Sequence, residues 1–396
     1  MVKKIIKNIA QMIHQADPTA SFAFEFWDCD VICFGDIPRT ILRMKTKSCA
    51  HNIIRKGFLG FGESYMKGDL EIENDMSELL RLGLAIGFDD YNLPLWQQFR
   101  LSIIELLNRD TRRREPKNIS YHYDRCDEFY PLYLDKTLTY SCAYFKESHD
   151  SLEQAQLNKY DHIARKLLLK PNETLLDIGC GWGGMLIFAA QKYGIRGVGN
   201  TLSKNQFKYA NHKIRELGLQ DRLKVLYQDY RELNGKFDKV VSIGMFEHVG
   251  KKFIPAFIRK MSGLLKTGSL GLLHTIGENT PSTSTPWTFK YIFPGAYIPS
   301  LHEIALEMEK TGFSILDVEN LRLHYAKTLE KWGENYEENI EKIRELFDET
   351  FVKQWRLFLN SSAAGFKYGN SQLFQILFSK GSNNSLPITR AHVYIE

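Results

Sequence analysis

The sequence predicts an α/β chain: an open, mostly parallel, doubly wound sheet preceded by a smaller α+β domain. Three observations lead there. From Leu175 onward strand-like apolar runs alternate with helical ones, the first of those runs turns through glycines into a helix, and before Asn108 short extended and helical pieces follow no such alternation. The length of 396 residues allows two or three domains at roughly 150 residues each, with a sizeable buried core. Apolar and charged fractions of 43% and 25% belong to a globular protein and exclude disordered or fibrous architecture. The formal net charge is +5, and aromatic residues reach 13%, with 25 Phe and 19 Tyr. A basic, aromatic chain suits a lipid surface or a nucleic acid, and composition does not choose between them.

At the N-terminus Ile5, Ile9 and Ile13, with Ile6 and Met12 beside them, recur at helical spacing. The resulting amphipathic helix packs its stripe on the first domain or lies on a membrane. FAFEFWDCDVICFG then alternates as strands do, and in IRKGFLGFGESYMKGDLEIEND glycines punctuate helical and extended pieces. These define a small α+β domain over 1–108. RDTRRREPK (109–117), polar, basic and carrying Pro116, is the boundary, read either as a solvated linker or as a dock for anionic headgroups. The second domain covers 118–396. It opens with a stretch rich in Tyr, His and Asp, then shows five strands with their exit loops: TLLDIGCGWGG, RGVGNTLS, LKVLYQDY, FDKVVSIGMFEHV and GSLGLLHTIG. From about Leu316 alternation returns around Tyr325 and leads into one acidic amphipathic helix, EKWGENYEENIEKIRELFDETFVKQW.

Six cysteines (Cys29, Cys33, Cys49, Cys126, Cys142, Cys180) form no CxxC pair and have no His at ligand spacing, so no metal site is expected. In so long a chain they indicate a reducing compartment rather than a disulfide framework. MVKKIIKNIAQMIHQ lacks the apolar run and cleavage site of a signal peptide, and no stretch is long enough to span a membrane. The expected location is the cytoplasm.

The chemistry concentrates in five places. In LLDIGCGWGG a strand ends in Asp177, and Gly179, Gly181 and Gly183 turn the chain into a helix, letting backbone approach a ligand with no Cβ in the way. A dinucleotide fingerprint would be GxGxxG with an acid closing the second strand, which here ends Gly199, Asn200, Thr201. The arrangement instead resembles the S-adenosylmethionine loop of Rossmann-like methyltransferases. Glu247 follows the fourth strand and His274 ends the fifth; in doubly wound sheets the first, fourth and fifth strands are neighbours, which brings all three features to one carboxyl edge. In YSCAYF (140–145), Cys142 is a nucleophile, a small packing residue or a polar wall, and without an adjacent base the first reading is the weakest. PWTFKYIFPGAYIPS (286–300), interrupted four times by Pro or Gly, reads as a loop lining or covering a cavity rather than a core helix.

YSCAYF, LLDIGCGWGG, MFEHVG, LLHTIG and KYIFPG, in this order and with GESYM (62–66) ahead of them, resemble the cyclopropane-fatty-acyl-phospholipid synthases over nearly the whole chain. The resemblance implies a class I methyltransferase domain with a mostly parallel seven-stranded sheet behind an N-terminal lipid-engaging domain. It implies S-adenosylmethionine as methyl donor and bicarbonate as a second cofactor. The reaction it implies is addition of a methylene across a cis double bond of a membrane phospholipid's acyl chain; the alternatives are a methyltransferase that leaves a methylene- or methyl-branched chain, and a non-catalytic lipid-binding protein. Bicarbonate would be held by Cys142, Glu247, His274, the backbone of Ile276, and Tyr325. S-adenosylmethionine would be contacted by Tyr140, Ser141, Asp177, Gly179, Gly181, Gly183, Thr201, Gln206, Asp229 and Tyr230; the hydroxyl and amide after the second strand replace the missing acid. The resemblance also implies peripheral association with the inner face of the membrane and suggests a homodimer; the modest charge and the lack of a base-reading motif argue against a nucleic-acid partner. One departure stands out: NSSAAGF places Ser362 where many members carry a cysteine.

The implied chemistry suits the residues. An isolated alkene is a weak nucleophile and needs a strongly electrophilic donor, and the cation that follows must be kept from water. Phe145, Tyr291 and Phe293 are candidates for sheltering it, at about 2 kcal/mol each if desolvated. His274, Tyr325, the Cys142 thiol and a backbone N–H are the expected donors to bicarbonate, and an ionised Glu247 would accept its proton.

Overall fold

The computed structural model describes residues 2–87, 128–279, 282–283 and 285–394. Residues 109–117, with the basic boundary segment, and Cys126 lie outside the described residues. The chain forms two compact units, one from Met1–Arg109, Ser284–Pro294 and Trp332–Asn370, the other from Asp110–Thr283, Gly295–Lys331 and Ser371–Glu396. A division at 109–117 therefore describes only where the first segment ends, because the later chain returns to the first unit twice.

The first unit carries a four-stranded sheet in the order β2-β1-β3-β4, from β1 (Phe22–Glu25), β2 (Val31–Phe34), β3 (Thr40–Met44) and β4 (Leu70–Asn74). The N-terminal helix Val2–Ala16 buries Val2, Ile6, Ala10 and Ile13, a 3.6-residue stripe, while Ile5 and Met12 point to solvent. Helices Lys47–Lys56 and Phe58–Lys67 meet at Gly57, whose φ of 55° suits glycine. Their backbones touch: a Cβ on Gly60 would lie 2.1 Å from the Asn52 carbonyl oxygen. Gly60→Ala should accordingly destabilise the protein by about 1–3 kcal/mol, since backbone cannot yield as a side chain does, with the loss read as a lowered thermal midpoint.

The returning segments explain the first unit's composition. Trp287, on the short helix Pro286–Tyr291, is fully buried, and a Cβ on Gly62 would lie 2.4 Å from its ring. The aromatic segment expected to line a cavity is thus, in its first half, a helix with a core tryptophan. Glu63 joins Lys56 and Lys290 at 2.7 Å each; burial alone would raise its carboxyl, but the two ammonium groups outweigh burial and hold it at about 2. The expected single acidic helix is three: Arg322–Glu338, Ile340–Leu346 and Glu349–Tyr368, the last restarted by Asp348, which accepts from the Phe351 N–H. Ser362 is half-buried on the third of these, within the first unit. Tyr325 sits near the start of the first, not in the alternating stretch before it.

The second unit contains the expected sheet. Its strands are β5 (Thr174–Ile178), β6 (Arg196–Thr201), β7 (Leu223–Tyr227), β8 (Phe237–Ile243) and β9 (Leu265–Glu278). A two-residue pair follows, β10 (Ser282–Thr283) with β11 (Tyr297–Ile298), and then β12 (Phe313–Asn320) and β13 (Ser371–Lys380). The seven-stranded order is β12-β13-β9-β8-β5-β6-β7, parallel from β5 to β9, with β13 antiparallel to both neighbours. Alternate residues enter different apolar layers, Leu176 with Phe257 and Met261, Leu175 with Ile163 and Leu186, so helices cover both faces. β8 lies between β5 and β9, which sets the ends of the three strands side by side.

Candidate active site

β5 delivers Asp177 to the carboxyl edge, and the turn beyond it runs through positive φ at Gly179 (79°), Gly181 (54°) and Gly183 (86°) before the helix Gly184–Tyr193. Each glycine has its own reason. A Cβ on Gly179 would meet Met245 at 2.4 Å, one on Gly183 would lie 3.3 Å from Ala210, and one on Gly181 would meet nothing within 4 Å, so that glycine opens the turn to a ligand. Asn200 ties the loop down: its Oδ1 accepts from the Gly179 N–H at 3.2 Å, its carbonyl from the Cys180 N–H at 2.9 Å, and its Nδ2 donates to the Gln228 carbonyl at 3.1 Å. Thr201 and Gln206 lie 2.7 Å apart, beside Ser203, which caps the next helix.

A cavity opens over this loop. Tyr140, Ser141, Asp177, Gly179, Gly181, Thr201, Gln206 and Tyr230 line it, as do Lys159, Met245 and His248. Two of the expected cofactor contacts are not in its lining. Gly183 serves as the helix N-cap, and the Asp229 carboxylate is engaged by the Arg231 guanidinium and N–H, both at 2.8 Å. The residues present fit the zwitterionic nucleoside cofactor: an open glycine turn, a hydroxyl and amide after β6, and an Asp177 Oδ1 that is buried without a hydrogen-bond partner among the described residues.

The second group gathers at the same sheet edge. Ile243, the last residue of β8, pairs with His274 on β9, and the Gly244 N–H donates to the His274 carbonyl at 2.9 Å. Glu247, on the turn Phe246–His248, is buried; its Oε1 accepts from the Ile276 N–H, and its Oε2 has no partner among the described residues. Burial pushes its carboxyl above the ordinary range. His274 is fully buried and, by that burial, held neutral; Gln375 on β13 lies 3.1 Å from its Nδ1, and its Nε2 has no partner among the described residues. With the Gln375 amide donating to Nδ1, the ring hydrogen sits on Nε2. One expectation changes here. The Ile276 N–H, read as a donor to bicarbonate, is already committed to Glu247, because β9 continues past His274 and carries that amide onto the Phe246–His248 turn.

Cys142 is fully buried, its Sγ 3.2 Å from the Ala143 carbonyl oxygen, and burial pushes the thiol well up, which leaves it a weak donor and no nucleophile. Its neighbours are stitched to the helix bearing Tyr325: the Ala143 N–H donates to Thr328 Oγ1 and the Phe145 N–H to His324 Nδ1, both at 3.0 Å. Phe145 is buried, with the Lys327 ammonium 4.3 Å from its ring centroid. Tyr291 and Phe293 belong to the first unit, where the Tyr291 hydroxyl donates to Glu63 at 3.1 Å and Phe293 packs edge-on against Phe358. Sequence reasoning missed Lys159, Met245 and His248. The latter two are the first and last residues of the MFEH signal itself, whereas Lys159 lies on a helix that announces no motif.

Comparison with known proteins follows the same lines. Residues 110–376 match the family model for mycolic acid cyclopropane synthetase, and residues 9–85 match one described as a domain of unknown function. A probable fatty acid methyltransferase of Pseudomonas putida is 36% identical, covering 93% of this chain and 95% of its own. The cyclopropane-fatty-acyl-phospholipid synthase of Escherichia coli (strain K12) is 37% identical, with 90% and 92% covered. The solved mycolic acid cyclopropane synthase CmaA1, complexed with SAH and CTAB, superposes with a TM-score of 0.63 at 34% identity, covering 67% of this chain and 98% of that one.

Proposed function

The chain belongs to the family of mycolic acid cyclopropane synthetases and cyclopropane-fatty-acyl-phospholipid synthases, S-adenosylmethionine-dependent methyltransferases, and from that premise we propose that it cyclopropanates cis double bonds in phospholipid acyl chains. The observation that carries this reading is the pair Glu247 and His274. Each is buried at the cofactor edge, each has one atom fixed by the sheet, and each keeps the other atom without a partner among the described residues. Methyl transfer to an amine or hydroxyl needs only removal of a heteroatom proton. Ring closure needs a proton taken from carbon in an apolar site, hence a base that is fixed and screened from water.

When bound, S-adenosylmethionine supplies the electrophilic methyl, and bicarbonate supplies the base. The residues that would hold the first are those of the glycine turn with Tyr140, Ser141, Asp177, Thr201 and Gln206. Those that would hold the second are Glu247, His274, Tyr325 and Cys142. Glu247 Oε2 would accept a hydrogen bond from the protonated oxygen of a small oxyanion and His274 Nε2–H would donate to a charged one, which together would orient it. Phe145 contributes apolar wall and the face of its ring. The first unit engages the lipid surface and the protein acts peripherally at the inner face of the membrane. Among the described residues no helix is long and apolar enough to cross one. At the N-terminus, charge is partly engaged within the protein, since Lys3 pairs with Asp28 and Lys7 with Asp30, each at 2.8 Å.

The test is incubation with S-adenosylmethionine, bicarbonate and vesicles of a cis-monounsaturated phospholipid. The expected product is an acyl chain heavier by one CH2, resistant to hydrogenation, and cyclic by fragmentation. An acyclic branched chain would move the protein to the methyl-branching members, and no product under saturating cofactor would reject the reading.

A further inference from the structure

Lys159 is fully buried on the helix Leu152–Lys166, yet it lines the cavity that Asp177 and the glycine turn also line. Its Nζ donates to Ser141 Oγ at 2.9 Å and lies 4.3 Å from the Tyr160 ring centroid. Among the described residues no carboxylate comes within 4.0 Å of that ammonium, and Asp177 has no cation within the same distance. A buried cation and a buried carboxylate thus share one cavity without closing on each other. Burial draws the ammonium down to about 7, against the more distant pull of the Asp135 and Asp177 carboxylates, and pushes the Asp177 carboxyl up to about 7, as expected for charges only partly compensated.

The cofactor's adenosine and sulfur carry no carboxylate, but its amino-acid end is a zwitterion. We infer that Lys159 receives the carboxylate of that amino-acid end while Asp177 faces its ammonium, so that binding completes both charge pairs. Ser141 sharpens the fit: its oxygen accepts from Lys159, which leaves its own O–H to donate to the same carboxylate. The polarity is set by the fold, since the cation comes from the helix before the sheet and the anion from the end of β5. This assignment deepens the cofactor reading and rests on it.

The experiment compares two ligands by titration calorimetry: S-adenosylhomocysteine, which has the amino-acid end, and methylthioadenosine, which lacks it. Lys159→Met should lose about thirtyfold or more in affinity for the first, as when one partner of a buried charge pair is removed. Affinity for methylthioadenosine should stay within about threefold, which also certifies a folded cavity. Lys159→Gln, which keeps a donor for Ser141 without the charge, should show the same split. Equal losses for both ligands in the glutamine variant would make Lys159 a support for the Ser141 wall and overturn the assignment, as would undiminished binding of S-adenosylhomocysteine. Failure of the unaltered protein to bind either ligand would instead overturn the cofactor reading itself.

Discussion

Glu247→Gln should leave S-adenosylhomocysteine affinity within about threefold and lower turnover by about 10²–10⁴, the range a positioned acid–base group contributes. The substitution preserves shape, and the amide oxygen still accepts from the Ile276 N–H. What changes is the other atom: Oε2, a buried acceptor without a partner among the described residues, becomes an NH2 that donates and takes no proton. The loss therefore falls on the chemical step. The pH profile supplies a second readout. Burial raises the Glu247 carboxyl above the ordinary 4.5, so the ionised fraction, and activity with it, falls as pH drops through that raised value. The acid limb of turnover should lie above 4.5 in the unaltered enzyme and be absent from the residual activity of the glutamine variant. Turnover within threefold would remove Glu247 from the mechanism.

Gly179→Ala should weaken S-adenosylhomocysteine binding by about a hundredfold and lower the thermal midpoint by a few degrees. Two physical terms act together. The residue sits at φ 79°, where a Cβ costs about 1–2 kcal/mol. The new methyl would also lie 2.4 and 2.7 Å from Cγ and Cβ of Met245, and Cβ is not a flexible chain end that swings clear. Relief requires the turn or the β8 exit to move, and both line the cofactor cavity. Gly181→Ala is the internal control, since it shares the positive φ but meets no atom within 4 Å; its smaller stability loss, measured by thermal melting, isolates the steric part. Equal midpoints for the two variants would show that Met245 yields freely.

Features that repeat along the chain were legible in the sequence. The five parallel strands and the glycine turn show themselves by local alternation, and strand order in a doubly wound sheet then brought Glu247 and His274 beside the turn. β13 was not recognised because SQLFQILFSK is buried on both faces and so shows no alternation. Lys159 was missed for the opposite reason: an isolated lysine in a helix reads as surface, and only the packing of helix Leu152–Lys166 against the sheet buries it. The commitment of the Ile276 N–H is a backbone fact with no side-chain signature. Nor does local pattern say that 284–294 and 332–370 return to the first unit, since what draws Trp287 there is the missing side chain at Gly62, far away in sequence.

That fit between Gly62 and Trp287 bears on how the chain can drift over generations. With the indole ring occupying the space that a Cβ on Gly62 would need, neither position is free to vary alone. A larger residue at 62 is viable only in a lineage that has first accepted a smaller one at 287, and that intermediate carries a void in a close-packed interior. The two sites thus behave as one inherited character written at two places in the gene, and mutation at either is filtered by the state of the other.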